Sequence, residues 1–364
     1  MKLCFIAGAD SIHSKKWIEY FSEKGENDVH WVSFLPSIFD KLKNVKFYLL
    51  KKYLFKPLGL LLNILPVRKL IKKINPDILH AHYAGVNGLL AALSGFHPFI
   101  LTPWGSDILI NAKSKTIRPL IKFILNKADL ITCDAEQMKE ALINLGISDS
   151  KIKITYFGIN TERFSPGPKD ESLVRELGLQ NNLTVISLRN LEPIYNVENL
   201  IRAIPLVLKE SPKVKFIIAG RGSEEKKLKT LAQNLKISRN ITFVGFIPND
   251  ELPKYLRLAD IYISTSLSDS TSVSLLEAMS CGLASVITEV GENKLILKDG
   301  KHGVLIPVKN PKILAEKIIY LLKNEETRNK IGKTGRKIIK EKYNYYKEMA
   351  NVENIYKDLI KTKL

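Results

Sequence analysis

Cysteine is scarce. Cys4, Cys133 and Cys281 are the only three in 364 residues, odd in number and far apart. That excludes a disulfide framework and a cysteine-based metal motif, and it predicts a reducing, cytoplasmic setting. Long apolar runs are missing too. The most apolar stretch, Pro57–Val67 (PLGLLLNILPV), has 11 residues, where a membrane-spanning helix needs about 20. The opening run, MKLCFIAGAD, stops at an Asp and has no cleavage-site pattern, so it reads as a first strand and not as a leader. Acidic residues are short in supply: 37 Asp and Glu face 56 Lys and Arg, a net charge of +19. Such an excess points to an anionic partner, whether nucleic acid, an anionic membrane or a phosphorylated substrate. No helix-turn-helix, zinc-finger or RNP pattern accompanies it, which argues against nucleic acid.

What is present is a large apolar fraction, 45%, distributed in short runs. Strand candidates are Lys2–Ala7, Val29–Phe34, Ile78–His82, Phe99–Pro103, Leu130–Cys133 and Lys153–Phe157. Six more follow: Thr184–Leu188, Lys215–Ala219, Ile241–Val244, Ile261–Ser264, Ala284–Ile287 and Gly303–Ile306. Helical patterns such as Glu136–Leu145, Val197–Leu208, Glu224–Leu235 and Asp250–Arg257 lie between them. Alternation of this kind predicts an α/β protein with parallel sheets covered on both faces. Twelve strands are many for one sheet, so two doubly wound, Rossmann-like domains are expected. The Pro- and Gly-rich stretch Ser165–Asp170 (SPGPKD) sets the division at 1–167 and 168–337. A helical tail, 338–364, has no strand of its own to cover and is expected to pack back onto the first domain.

The segment Lys41–Lys73 carries ten Lys and Arg and no acid, interleaved with Phe47, Tyr48, Tyr53, Leu54, Phe55 and Leu60–Leu62. A basic amphipathic block of this kind suits the interface of an anionic bilayer. The plainer reading is a helix pair whose apolar face lies in the core. The stretch Lys323–Lys342 is also basic, but it carries three Glu and reads as a solvated helix face.

The strongest chemical signal is Ser264–Gly282 (STSLSDSTSVSLLEAMSCG). A strand runs into a Ser/Thr-rich loop and then into a helix. The free N–H groups at a helix N-terminus form an anion site, and the carboxyl edge of a parallel sheet is where doubly wound folds bind ligands. Asp269 and Glu277 flank the loop, with seven residues between them. Either alone would pass for a surface ion pair or a cap; together, after a strand, they mark a ligand site.

This segment resembles the nucleotide-sugar site of GT-B glycosyltransferases of family 4, with its E-x7-E pattern. Phe157–Pro166 (FGINTERFSP), Phe216–Gly222 (FIIAGRG) and Phe243–Asp260 (FVGFIPNDELPKYLRLAD) resemble further blocks of that family, in the same order. The resemblance implies two Rossmann-like domains facing a central cleft. It implies a retaining transfer from a nucleotide sugar, of UDP or GDP type, with no resident cofactor or metal. It places Glu277 on the ribose hydroxyls, Asp269 on hydroxyls of the sugar, and Arg189, in Ser187–Glu192 (SLRNLE), on the diphosphate, a task suited to a bidentate guanidinium. Gly220 and Arg221 with Gly222, Ser270, Thr271, Ser272 and Val273, and Glu289 with Asn293, would line the donor pocket.

Three positions depart from the family pattern. Asn196 stands where many members carry a Lys, so the phosphates lose a charge. The first acid is Asp269, not Glu. In Leu101–Asp107 (LTPWGSD), Trp104 replaces a His that often meets the sugar; Trp stacks on a sugar ring but takes no proton. In the first domain, Gly8, His13 or Lys15, His82, Trp104 and Asp107 are the candidates for the acceptor side. His80 and His82 fall on one strand face, as two metal ligands would, but no third ligand accompanies them.

Taken together, these features predict a retaining glycosyltransferase, peripheral on the cytoplasmic face of the cell membrane. Its acceptor would be lipid-linked or a surface polysaccharide, with 41–73 on the membrane. A non-catalytic partner subunit of a transferase complex, or a nucleotide-sugar epimerase, are the alternatives.

Overall fold

The structure is a computed structural model. It describes residues 1–364 except 39–41, 52–55, 157, 270 and 363–364, with 56–61 described by backbone only. Two compact units form. The first comprises Met1–Tyr156 together with Glu348–Leu364, and the second Phe157–Lys347. The expected divisions at 167/168 and 337/338 therefore shift. The chain just after Phe157 is bonded into the second unit: Ile159 bridges to Asn344, and Arg336 donates to the carbonyls of Phe164 and Thr161.

The first unit is a seven-stranded parallel sheet. Its strands are β1 (Lys2–Ile6), β2 (Asp28–Ser33), β3 (Val45–Leu49), β4 (Ile78–His82), β5 (Phe99–Thr102), β6 (Leu130–Cys133) and β7 (Ile152–Ile154), in the order β3-β2-β1-β4-β5-β6-β7. All five residues of β4 are buried, as a parallel strand covered on both faces requires. Leu79 and Ala81 face a core shared with helices Val86–Ser94, Arg118–Lys127 and Glu136–Asn144. His80 and His82 face the other side, where helix Ile12–Glu23 supplies Trp17 and Phe21 and the last helix, Tyr345–Lys361, supplies Tyr356. The Tyr356 hydroxyl accepts from Trp17 Nε1 at 3.1 Å and hydrogen-bonds to His80 Nδ1. A buried polar network thus fixes the chain end to the first sheet.

The second unit is a six-stranded parallel sheet. It contains β8 (Thr184–Leu188), β9 (Lys215–Ala219), β10 (Ile241–Gly245), β11 (Ile261–Ser264), β12 (Ala284–Thr288) and β13 (Val304–Ile306), in the order β10-β9-β8-β11-β12-β13. Helix starts follow local chemistry. Asp170 accepts from the amides of Ser172 and Leu173, and Asn310 from Ile313, the side-chain capping expected of these residues.

One strand departs from the sequence expectation. Val45–Leu49 lies inside the basic block 41–73, yet it pairs with β2 as the edge of the first sheet. Only Lys56–Ile74 of that block is helical, and part of the block, residues 41 and 52–55, lies outside the described residues. Phe47, Leu49, Leu62 and Leu65 remain exposed. Among the described residues, no helix is long and apolar enough to cross a membrane.

Candidate functional site

In a doubly wound sheet, ligands bind where the strand order reverses, outside the carboxyl ends. In the second unit that point lies between β8 and β11, and the loops after these two strands hold the main candidates. Arg189 immediately follows β8 and is 8% exposed. Its Nη2 lies 2.8 Å from Asp269 Oδ2. Its Nη1 donates to Ser272 Oγ at 2.8 Å and to Ser274 Oγ at 3.0 Å. The guanidinium sits over the Tyr195 ring, 4.3 Å from its centroid, in cation–π contact. Sequence reasoning brought Arg189, Asp269 and Ser272 to one site. It missed Tyr195 and Ser274; the short Pro193–Tyr195 turn before Asn196 was the available signal.

Two donors at this point lack acceptors among the described residues: Arg189 Nε and Asn196 Nδ2 are buried without a hydrogen-bond partner there. Asn196 is held in the left-handed region (φ 46°), and its carbonyl accepts from Thr265 Oγ1 at 2.9 Å, which keeps it against the loop after β11. A buried donor without an acceptor is costly. A phosphate oxygen, which only accepts, satisfies such donors. The helix Val273–Ser280 starts beside them, with Ser272 at its cap position, and its first amides have no intrahelical acceptor.

The acids are inside this wall. Glu277 is 3% exposed, on the second turn of the helix. Burial raises the Asp269 carboxyl above its usual range, while Arg189 and hydrogen bonds with Ser272 and Ser266 pull it back. Thr271 is buried and Val273 half-buried; Ser270 lies outside the described residues. Gly220 carries φ +119°, and a Cβ there would stand 2.4 Å from the Arg189 carbonyl oxygen. This glycine lets the β9 loop close on the β8 loop. Arg221 and Glu289 are exposed, so they edge the crevice and do not line its floor. Asn293 is fully buried and donates to the Thr288 carbonyl at 2.9 Å, which makes it a loop tie.

Gly291 couples the loops after β11 and β12. It has φ +51°, and a Cβ there would stand 1.6 Å from the Asp269 carbonyl oxygen. Gly291→Ala is expected to destabilise the second unit by roughly 3 kcal/mol or more and to displace Asp269. Denaturant unfolding together with nucleotide affinity checks this; wild-type values for both would contradict it.

The first sheet reverses between β1 and β4, and Gly8 follows β1 at that point. His13 and Trp104 are half-buried, with ring centroids 5.6 Å apart, and present an aromatic rim. His82 lies beneath it, 1% exposed, with Nδ1 3.1 Å from Ser14 Oγ and its ring packed on Trp17 and Trp104. Burial lowers the His82 pKa to about 3 and that of His13 to about 4, the latter helped by Lys16. Asp107 is also 1% exposed. Its carboxylate accepts from the amides of Ala84 (2.7 Å), Trp104 (3.1 Å), Gly105 (3.0 Å) and Ile108 (3.2 Å). These four bonds tie the loop after β4 to the loop after β5. Asp107 and His82, expected on the acceptor side, are thus buried and bonded to neighbouring elements, while His13 and Trp104 are half-buried and reach the surface. Among the described residues, no group of three or more His, Cys, Asp or Glu is arranged to hold a metal.

The model of the family described as glycosyl transferases group 1 matches residues 169–338, and that of the glycosyl transferase 4-like family matches 2–135. The chain belongs to the family-4-like GT-B glycosyltransferases. This transferase is 26% identical over 293 residues to the N-acetyl-alpha-D-glucosaminyl L-malate synthase of Bacillus anthracis, covering 79% of this chain and 76% of that one. It is 33% identical over 185 residues to the alpha-monoglucosyldiacylglycerol synthase of Streptococcus pneumoniae, covering 47% of this chain and 41% of that one. The Anabaena protein HepE, solved in complex with UDP-glucose, superposes on the transferase with a TM-score of 0.83 at 19% identity, over 98% of this chain and 100% of that one. At that identity the likeness establishes the fold.

Proposed function

We propose that this glycosyltransferase takes a sugar from a nucleoside-diphosphate donor, of UDP or GDP type, and transfers it with retention to a lipid-linked or surface-polysaccharide acceptor on the inner face of the cell membrane. The observation that carries the donor reading is the pair of buried donors, Arg189 Nε and Asn196 Nδ2, unsatisfied among the described residues and beside the start of helix Val273–Ser280. UDP-glucose in the HepE complex supports the same donor class. Glu277 would hold the ribose hydroxyls and Asp269 the sugar. The acceptor reading draws support from the Streptococcus pneumoniae relative, whose name puts a sugar on diacylglycerol. It also draws on the exposed Phe47, Leu49, Leu62 and Leu65 within the basic block 41–73.

The chemistry follows from charge. As the bond between the anomeric carbon and the phosphate oxygen breaks, negative charge grows on the diphosphate. Arg189 and the helix amides are fixed in place to meet it, and fixed dipoles in a buried site are the most effective stabilisers of developing charge. In this reading they also do the work that a metal ion does at other diphosphate sites. The acceptor oxygen attacks the same face that the phosphate leaves, and its proton passes to the departing phosphate oxygen. Asp269 is already paired with Arg189, which fits a binding role better than that of a nucleophile. Trp104 and His13 would offer the acceptor an uncharged aromatic surface, on which sugar rings stack.

The test is a melting screen of the full chain with UDP, GDP and CMP, followed by turnover of the matching nucleotide sugars. A ligand that binds only the native state raises the melting temperature. One nucleoside diphosphate is expected to stabilise the chain, and its sugar derivative to be consumed with retention, read as the anomeric coupling of the product. Stabilisation by none of the three, with no donor consumed, would contradict the reading and favour a non-catalytic subunit.

A further inference from the structure

A second surface of the first unit has the same character as the 41–73 block. No acid lies between Asp107 and Asp129, while five cations do: Lys113, Lys115, Arg118, Lys122 and Lys127. Within this stretch Ile110, Ile117, Leu120 and Phe123 are exposed, Ile110 by 67%. The helix Arg118–Lys127 buries Ile121, Ile124 and Leu125 against the sheet. Its outer side should then be polar, yet it carries Leu120 and Phe123, with Ile117 one turn earlier. Lys127 Nζ sits over the Phe123 ring at 5.9 Å, so cation and apolar group share one patch. Of the two flanking acids, Asp107 is buried under its four amides and the Asp129 carboxylate is held by His97 Nδ1 and the Phe99 amide, each at 2.7 Å, so the five cations stay in clear excess.

We propose that Ile110–Lys127 is a membrane-contact surface, on which Ile117, Leu120 and Phe123 enter the headgroup layer of an anionic bilayer while the five cations meet its phosphates. Charge complementarity selects this occupant. A second copy of the chain would bring five more cations onto the same patch, whereas an anionic lipid surface attracts both parts, apolar and basic. The inference deepens the membrane reading above and rests on it only for the class of partner. It adds a second candidate contact on the first unit.

The test is flotation of the full chain with vesicles of phosphatidylcholine alone or mixed with phosphatidylglycerol. Wild type is expected to float with the mixed vesicles and to be released by high salt. The double variant L120S/F123S should lose about tenfold or more of its partition, with a melting temperature lowered by no more than a few degrees because both side chains are partly exposed. Phe123→Trp should shift its emission to the blue on adding anionic vesicles. If wild type floats and L120S/F123S floats equally, this inference fails while the 41–73 reading stands. If wild type does not float at low salt, both fail. If the double variant changes only self-association in sedimentation, the occupant is a second copy and the inference is overturned.

Discussion

Arg189→Ala is expected to lower kcat/KM for the donor by about a hundredfold or more, as loss of one fixed charge-stabilising group does elsewhere. The loss should fall mainly on kcat, because the full charge on the diphosphate exists only once the bond has begun to break. The geometry explains why no neighbour compensates. Asn196 occupies a position where a second cation would serve, and Arg221 is exposed at the edge. Ser272 and Ser274 are ordered by Arg189 itself, through bonds of 2.8 and 3.0 Å. Removal of the guanidinium also leaves Asp269 buried without its counter-ion, so a stability loss accompanies the kinetic one. Arg189→Lys separates the two: it keeps the charge and loses the fork, and it should recover stability more than rate. A kcat/KM for Arg189→Ala within about twofold of wild type would remove the leaving-group role.

The second large effect is on the acid stability of the first unit. His82 and His13 titrate in the fold at about 3 and about 4, well below the ordinary 6.5, and His80 is lowered as well. Burial is the main cause in each. Between about pH 6.5 and these values the unfolded chain binds protons that the native chain does not, so stability must fall as the pH falls. For His82 alone, the loss by about pH 4.5 is roughly 2–3 kcal/mol at 1.36 kcal/mol per unit. The three tryptophans, Trp17, Trp31 and Trp104, all lie in the first unit, so their fluorescence reports its unfolding separately. The melting midpoint by that signal is expected to drop steeply between pH 6.5 and 4.5, and His82→Asn should flatten the slope. Parallel slopes for the two proteins would show that burial of His82 is not linked to acid stability.

Most of the architecture was legible because parallel strands covered on both faces leave a plain trace, short apolar runs between amphipathic ones. Twelve of the thirteen strands were read in that way. Val45–Leu49 was missed because it and its neighbours share one strong signal, an acid-free basic block, which hides a short alternation of Val45, Phe47 and Leu49. An edge strand is half solvated, so its composition resembles that of a surface helix. At the site, Asp269 was legible from its place after β11, and Arg189 from the family resemblance of Ser187–Glu192. The Tyr195 platform was not, since the ring reaches Arg189 through a local turn. Asp107 was read as an acceptor-side candidate; three of its four amide partners are near in sequence, but the fourth, Ala84, comes from another loop 23 residues away. His80 is explained by Tyr356, 276 residues away, a pairing no local pattern contains.

The central claim is that the second unit recognises a diphosphate through Arg189. It is tested most directly by titrating the stabilising nucleoside diphosphate, and the same nucleoside without phosphate, into wild type and Arg189→Ala by calorimetry. Wild type should prefer the diphosphate by about a hundredfold or more, and Arg189→Ala should lose most of that preference while binding the bare nucleoside almost as before. An equal preference in both proteins would place the diphosphate elsewhere and contradict the account.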